Sequence, residues 1–384
     1  MVEWFKVLSK DKRAAVVVYY RYVLGLKGKD IAKILEVAEA TVTRALDAAE
    51  ELGYFKREIV QFTPRYKEII EELSCEGFLR DQLLAREIHR RYRSHLRNVV
   101  VVPTQKHVGP VAAAHFWEIF QRGHIRRVGV LWGRTLRSIV DALGRWVTPD
   151  PDREVEFIPL FGELPIKASS ELYEKAYQCS ATTLAADLER MFKGRVSKFR
   201  SLSIPACVPV SFLRGPGNPD ERKNRCEVVR KFVESVPSYR EIFVDKPPLI
   251  ESIDTLISSV GDLEHGWLEF GGPVASEDEW RQLRNLEVIG ELAGRYVTED
   301  RVDGFREGGV IQRVNSRVFG PSPGHYKRIA QKGREDWQSL IGGVILVAAE
   351  PRKARVVHTV VKNNCATDLI ISKEVAEELR RILG

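Results

Sequence analysis

A seven-residue stretch, V-L-W-G-R-T-L from Val130 to Leu136, carries the residue types needed to hold an oxyanion. An apolar run stops at Leu131, Gly133 permits a tight turn, and Thr135 opens a helical pattern. The first N–H groups of a helix have no carbonyl partner within it, so such a turn offers free donors to a ligand. With the Thr135 hydroxyl, the Arg134 guanidinium and the backbone running on to Leu136, this turn suits a phosphate monoester. The plainer alternative is a strand-to-helix turn in which Thr135 only caps its helix. Similar turns follow other apolar runs. Glu163 in F-G-E-L and Asp262 in G-D-L are placed to accept sugar hydroxyls, and Lys353 in A-E-P-R-K to neutralise a phosphate; each is otherwise a solvated loop residue.

These turns need a scaffold that brings them to one edge. From Asn98 onward, short apolar runs at 98–103, 126–131, 155–160, 202–208, 240–244, 254–260, 342–348 and 368–372 read as strands. Amphipathic helical patterns separate most of them, among them VGPVAAAHFWEIFQRG, TLRSIVDALGRW and TTLAADLERMFKG. Continuous apolar strands alternating with helices imply a mainly parallel sheet covered on both faces, a Rossmann-like doubly wound α/β domain. Ligands of such sheets sit beyond the carboxyl ends of the strands. The stretch 212–225, FLRGPGNPDERKNR, reads as an exposed loop.

The first sixty residues follow a different pattern. Ile31, Ala32, Ile34 and Leu35 sit at helical spacing with Lys29, Asp30 and Lys33 between them. Glu36, Val37 and Ala38 leave room only for a tight turn, and a second helix follows with Val42, Leu46 and Ala49 inward. Its outward residues Glu39, Ala40, Thr43, Arg44 and Asp47, with Thr41 beside them, are those a helix in the major groove shows to base edges. Gly53 ends that helix, and 54–59 returns as a strand or wing carrying Lys56 and Arg57. A preceding helix over 9–24 covers the pair with Val16, Val17, Tyr20 and Val23. The reading is an N-terminal winged helix-turn-helix; an ordinary structural helix pair is the competing one. Ala38 precedes the second helix without the side-chain oxygen of a good N-cap.

Between the two lie helical stretches at 65–74 and 79–96, the second with a stripe of Leu84, Ile88, Tyr92 and Leu96. The organisation is therefore 1–64 helix-turn-helix domain, 65–97 helical linker and 98–384 α/β effector domain. At 384 residues the chain is too long for one ordinary core. A hydrophobic fraction of 44% and a mean hydropathy of -0.23 indicate a soluble, cytoplasmic protein; no run approaches the roughly 18 apolar residues of a membrane span, and no secretion signal opens the chain. The five cysteines form no C-x-x-C, which predicts free thiols and neither a zinc site nor a disulfide framework. The net charge of +7 invites nucleic acid, yet residues 1–60 hold 11 Lys and Arg against 9 Asp and Glu, so charge is only a supporting argument. The densest basic cluster is REIHRRYRSHLR, Arg86 to Arg97.

Several runs, taken together and in order, resemble the SorC family of bacterial sugar-responsive transcriptional regulators: W-G-R-T-L, I-G-E-L-A-G-R-Y, V-N-S-R-V-F-G and the segment containing A-E-P-R-K. The resemblance covers nearly the whole chain. It implies a helix-turn-helix joined to an effector domain resembling sugar-phosphate isomerases, assembled as a homodimer or homotetramer, with a double-stranded DNA operator and a small phosphorylated sugar as partners and no cofactor, metal or membrane. It also implies that Trp132 to Thr135 hold the effector phosphate, with Lys353 adding charge and Glu163 and Ser180 near the sugar. Ala349 and Glu350 stand where the family has a glycine pair, and Lys373 where it has an aspartate. The alternative is an isomerase-like enzyme using Glu163 or Asp262 as general base. No Ser-His-Asp or Cys-His order and no histidine pair at metal spacing supports it, so a non-enzyme is expected.

Overall fold

In the computed structural model, residues 3–23, 26–54, 69, 73, 81–122, 125–144, 154–163, 174, 176–192, 201–213, 219–263, 274–302, 309–335 and 342–384 are described. They form two hydrophobic cores that share no residue.

The first core is built mainly on three helices, α1 (Lys10–Val18), α2 (Gly28–Leu35) and α3 (Glu39–Glu51), with Phe5 added from a short helical turn at Glu3–Val7. Ser9 starts α1 by accepting the Lys12 N–H at 3.3 Å, and a π-helical turn, Tyr19–Val23, continues it. Val16, Val17 and Tyr20 are fully buried against Ile31, Leu35, Val42 and Ala49. The turn between α2 and α3 is tight because Glu36 takes a left-handed conformation at φ 50, which lets the Val37 N–H close on the Ala32 carbonyl. At the end of α3, Gly53 adopts φ 70 while its N–H donates to Glu50 and that of Tyr54 to Ala49. This paired capping is the reason a glycine stands there. Leu46, expected inward, is only half-buried, and Ala48 takes the deeper place. The expected wing lies outside the described residues, Lys56 and Arg57 with it.

The second core surrounds an eight-stranded sheet: β1 (Asn98–Val102), β2 (Arg127–Val130), β3 (Glu156–Pro159), β4 (Thr255–Gly261), β5 (Val288–Leu292), β6 (Arg295–Thr298), β7 (Gly343–Ala348) and β8 (Asp368–Ser372). Six strands are parallel in the order β1-β8-β7-β4-β2-β3, and β5 pairs antiparallel with the end of β4 and forms a hairpin with β6. Among the helices, α4 (Gln82–Tyr92) leads into β1 and α5 (Val108–Arg122) joins β1 to β2. Next come α6 (Arg134–Leu143), α7 (Ala181–Met191), α8 (Pro219–Ser235) and α9 (Glu277–Asn285). The last three are α10 (Pro323–Glu335), α11 (Ala354–Lys362) and α12 (Lys373–Leu383). One helical layer contains α5, α6 and α7, with α6 in contact with both of the others; α4, α12 and α11 pack together in another.

The stripe on α4 is buried in this second core, Leu84, Ile88, Tyr92 and Leu96 being no more than 7% exposed. Polar ties hold the same segment to the sheet body. The Tyr92 hydroxyl meets His358 Nδ1 on α11 at 2.6 Å, and Arg97 pairs with the buried Asp368. Burial alone would raise the Asp368 carboxyl, but His115 and Arg97 outweigh it and hold it below the ordinary range.

Three expectations fail. Residues 202–208 form no named strand but two isolated bridges, Glu163 with Pro205 and Cys207 with Val318; Pro205 has no N–H to give a ladder. Residues 240–244 form a π-helical turn that continues a short helix opened at Pro237, with Ile242 inward and Val244 outward. The expected loop at 212–225 gives way to α8 at Pro219, since proline is preorganised for a first helical position.

Candidate functional site

Numbered from β2, the strands β2, β3, β4, β7 and β8 follow the 2-1-3-4-5 order of a doubly wound sheet, with β1 added at the far edge. The chain leaves β2 toward β3 on one side and resumes with β4 on the other. That reversal opens a crevice at the carboxyl ends of β2 and β4. A solvent-open cleft of ≈ 640 Å³ lies there.

The turn after β2 forms one wall. Gly133 has φ 127 and ψ 160, a conformation essentially restricted to glycine, and its N–H donates to the Cys179 carbonyl at 2.9 Å. Gly133 is itself the N-cap of α6, and no side chain caps the helix, so Thr135 is not the cap that the plainer reading required. Gly133, Arg134 and Thr135 line the cleft, and Leu136 is buried just behind with its amide in the helix's first turn. The amides of Arg134, Thr135 and Leu136 have no intrahelical acceptor and lie at the positive end of the α6 dipole. Trp132 stacks on Phe161 at 5.9 Å between ring centroids, which steadies the turn.

The opposite wall comes from the loop after β7. Lys353 lines the cleft with its side chain 10% exposed and ion-pairs with Glu350, which also lines the cleft and stands 3.7 Å from Arg352. Arg352 in turn binds Asp262 at 2.6 Å. Asp262 is buried and is not part of the cleft wall.

Glu163 also stands apart from the wall. Burial raises its carboxyl, while hydrogen bonds from Thr182 and Ser180 oppose the rise. Ser180 is the N-cap of α7, accepting the Thr183 N–H at 3.2 Å. The geometry thus brings Gly133, Arg134, Thr135 and Lys353 to one cleft and places Glu163 and Ser180 together beside it, next to Cys179. Burial pushes the Cys179 thiol up against the opposing charges of Arg137 and Arg134, leaving it a neutral wall residue.

Of the charged residues that line the cleft, Glu291 was not among those expected from the sequence. The antiparallel register sets Glu291 on β5 opposite Gly261 on β4, and its carboxylate Oε1 lies 2.2 Å from where a Cβ on Gly261 would fall. Only glycine leaves that space. Oε2 accepts the Gly294 N–H at 2.5 Å. Burial raises the Glu291 carboxyl to about 7, the Gly294 bond and Lys353 pulling down and Asp262 pushing up. The signal for Glu291 in the sequence was the I-G-E-L-A-G run, which carries no chemistry on its own.

In the first core, Lys29, Glu39, Ala40, Thr43, Arg44 and Asp47 are exposed and Thr41 is half-exposed, so one face of α3 is turned to solvent. Arg44 donates to the Ala40 carbonyl at 3.3 Å and to Thr41 Oγ1 at 3.4 Å, contacts within its own helix. Glu39 Oε1 lies 3.5 Å from a Cβ position on Gly28, folded against the first turn of α2. There the helix dipole offsets part of its charge. Among the described residues, no group of three His, Cys, Asp or Glu is arranged to hold a metal.

The sheet order and the paired bodies were compared with known proteins. The full-length sorbitol operon regulator SorC from Klebsiella pneumoniae superposes with a TM-score of 0.53 at 17% identity, covering 98% of this chain and 100% of that one. This chain has the fold of the SorC-type regulators. A DeoR family transcriptional regulator from Listeria monocytogenes matches with a TM-score of 0.53 at 17% identity over 77% of this chain and 98% of its own. A transcriptional regulator from Streptococcus pneumoniae TIGR4 matches with 0.54 at 18% over 78% and 96%. No protein-family model and no curated protein matches the sequence. Among the described residues, no helix is long and apolar enough to cross a membrane.

Proposed function

We propose that this chain is a sequence-specific DNA-binding transcriptional regulator whose grip on DNA is set by a small phosphorylated sugar or related metabolite. The observation that carries the reading is the cleft at the sheet's reversal point, walled by the first turn of α6 from Arg134 to Leu136, on a chain that also presents an exposed α3 face. The phosphate sits on the α6 N-terminus with Arg134 and Lys353, and hydroxyls of the sugar reach Glu291, with Glu163 and Ser180 bordering the site. In a homodimer or homotetramer, paired α3 helices meet two half-sites, and ligand binding biases how they are spaced. The fold shared with proteins named as transcriptional regulators supports this reading over an isomerase-like enzyme. Neither Glu163 nor Asp262, the two carboxylates that the enzyme reading names as general base, lines the cleft: Asp262 holds Arg352 and Glu163 holds Ser180 and Thr182.

The coupling route follows α11. Lys353 in the cleft heads this helix, and His358 further along it holds Tyr92 of α4, the helix that follows the DNA-binding body in the chain. A thermal-shift screen against phosphorylated sugars tests the ligand, because a compound that binds only the folded state raises its melting temperature. Selection of bound sequences from random duplexes tests the operator. No shift with any sugar phosphate, or no enriched sequence, refutes the corresponding half of the proposal.

A further inference from the structure

The α3 face that reads bases is not cationic: Arg44 stands against Glu39 and Asp47. Most affinity for a duplex comes from neutralising phosphates, so the positive charge that grips the backbone has to be supplied elsewhere. On α4 the buried residues Leu84, Ile88 and Tyr92 define the face turned to the sheet body. Arg86, Arg90 and Arg93, spaced by four and three residues, fall together on the opposite side, and all three are exposed.

Among the described residues, none of the three side chains takes part in an ion pair or hydrogen bond. Their neighbours are engaged: Arg91 donates to the Gly384 carbonyl at 2.6 Å and Arg97 pairs with Asp368. The one acid within the helix, Glu87, is half-buried on the flank. Like charges at this spacing repel, and no acid among the described residues pairs with them. The helix begins beside the DNA-binding body. Asp81, its N-cap, lies close enough to Tyr19 of the first core to suppress ionisation of that phenol, second only to burial. At 1.5 Å per residue the row is about 10 Å long, which spans roughly three phosphates of one strand.

We propose that Arg86, Arg90 and Arg93 form a second DNA contact that holds the phosphate backbone beside the stretch read by α3. The inference rests on the DNA-binding reading above. It predicts a contact that strengthens binding to any sequence and leaves the choice of sequence to α3.

The test is the salt dependence of binding by the full chain to a fluorescein-labelled 30-base-pair duplex of mixed sequence. The variant Arg86→Gln with Arg90→Gln and Arg93→Gln should lower the slope of log K against log salt by about 3, the loss of three phosphate contacts. The matching Lys triple should keep the slope, since a point charge suffices for phosphate. A control of equal charge change, Lys246→Gln with Arg301→Gln and Lys362→Gln at exposed sites, should keep it too. Circular dichroism checks that each variant is folded. A slope unchanged in the Arg86, Arg90 and Arg93 variant, or lost equally in the control, overturns this inference alone. So does a loss confined to phosphatidylglycerol vesicles, which makes the row a membrane contact. No duplex binding by the unaltered chain removes the DNA-binding reading and this inference together.

Discussion

Replacing Glu291 with Gln should flatten the dependence of stability on pH. The carboxyl is 6% exposed and is pushed to about 7 in the folded chain, against an ordinary value of 4.5. The folded state therefore binds the proton more tightly than the unfolded state, so stability is full below about pH 4.5 and is lost as pH rises through 7. At roughly 1.4 kcal/mol per pKa unit, the shift amounts to about 3 kcal/mol in all, of which 2–3 kcal/mol falls between pH 5 and 8. Gln keeps the size and can still accept the Gly294 N–H, but it has no charge to desolvate. Denaturant unfolding at pH 5, 6, 7 and 8, with constant m, gives the two curves. The wild type should lose on the order of 2–3 kcal/mol relative to the variant across that range. Parallel curves would show that Glu291 is already balanced by Lys353 and refute the burial argument.

Three further substitutions probe other parts of the chain. Arg44→Ala should weaken specific DNA binding by roughly 1–3 kcal/mol with little change in melting temperature, because its contacts are exposed and confined to α3; fluorescence anisotropy reads this, and an unchanged affinity excludes it from base reading. Gly133→Ala should destabilise the fold by about 1–3 kcal/mol through strain rather than clash, since φ is 127 and no atom lies within 4 Å of the new Cβ; an unaffected unfolding midpoint contradicts that. Ala38→Ser should add about 1 kcal/mol by supplying the missing cap of α3, visible as a raised melting temperature, and no rise would mean the α3 amides already have partners.

The elements best read from sequence were those whose period alone decides their place. The helix α2 and the apolar runs that became β1, β2, β3, β4, β7 and β8 are buried where their spacing dictates, and so is α3 except that Ala48 takes the place expected of Leu46. Failures came where length and composition leave two solutions open. REIFV, at 240–244, has the β-branched and aromatic content of a strand, yet it follows a helix started at Pro237 and needs only Ile242 inside. The β5–β6 hairpin was overlooked because L-A-G-R does not announce a turn as Asn-Gly does; Ala293 adopts φ 49 beside Gly294 at φ 75.

The candidate site divides along the same line. The turn at Gly133 to Thr135, proposed above to hold the phosphate, is local: its geometry follows from a strand end, a glycine and a helix start, and that geometry is legible in the sequence. Glu291 is not local: it reaches the cleft only because Gly261 faces it across an antiparallel pair and has no side chain to fill the gap. Asp262 shows the converse. It follows a strand end, as expected, but Arg352 arrives 90 residues later to claim its carboxylate. Position along a strand predicts which edge a residue reaches; whether its charge is still free there depends on partners that only the folded chain brings together.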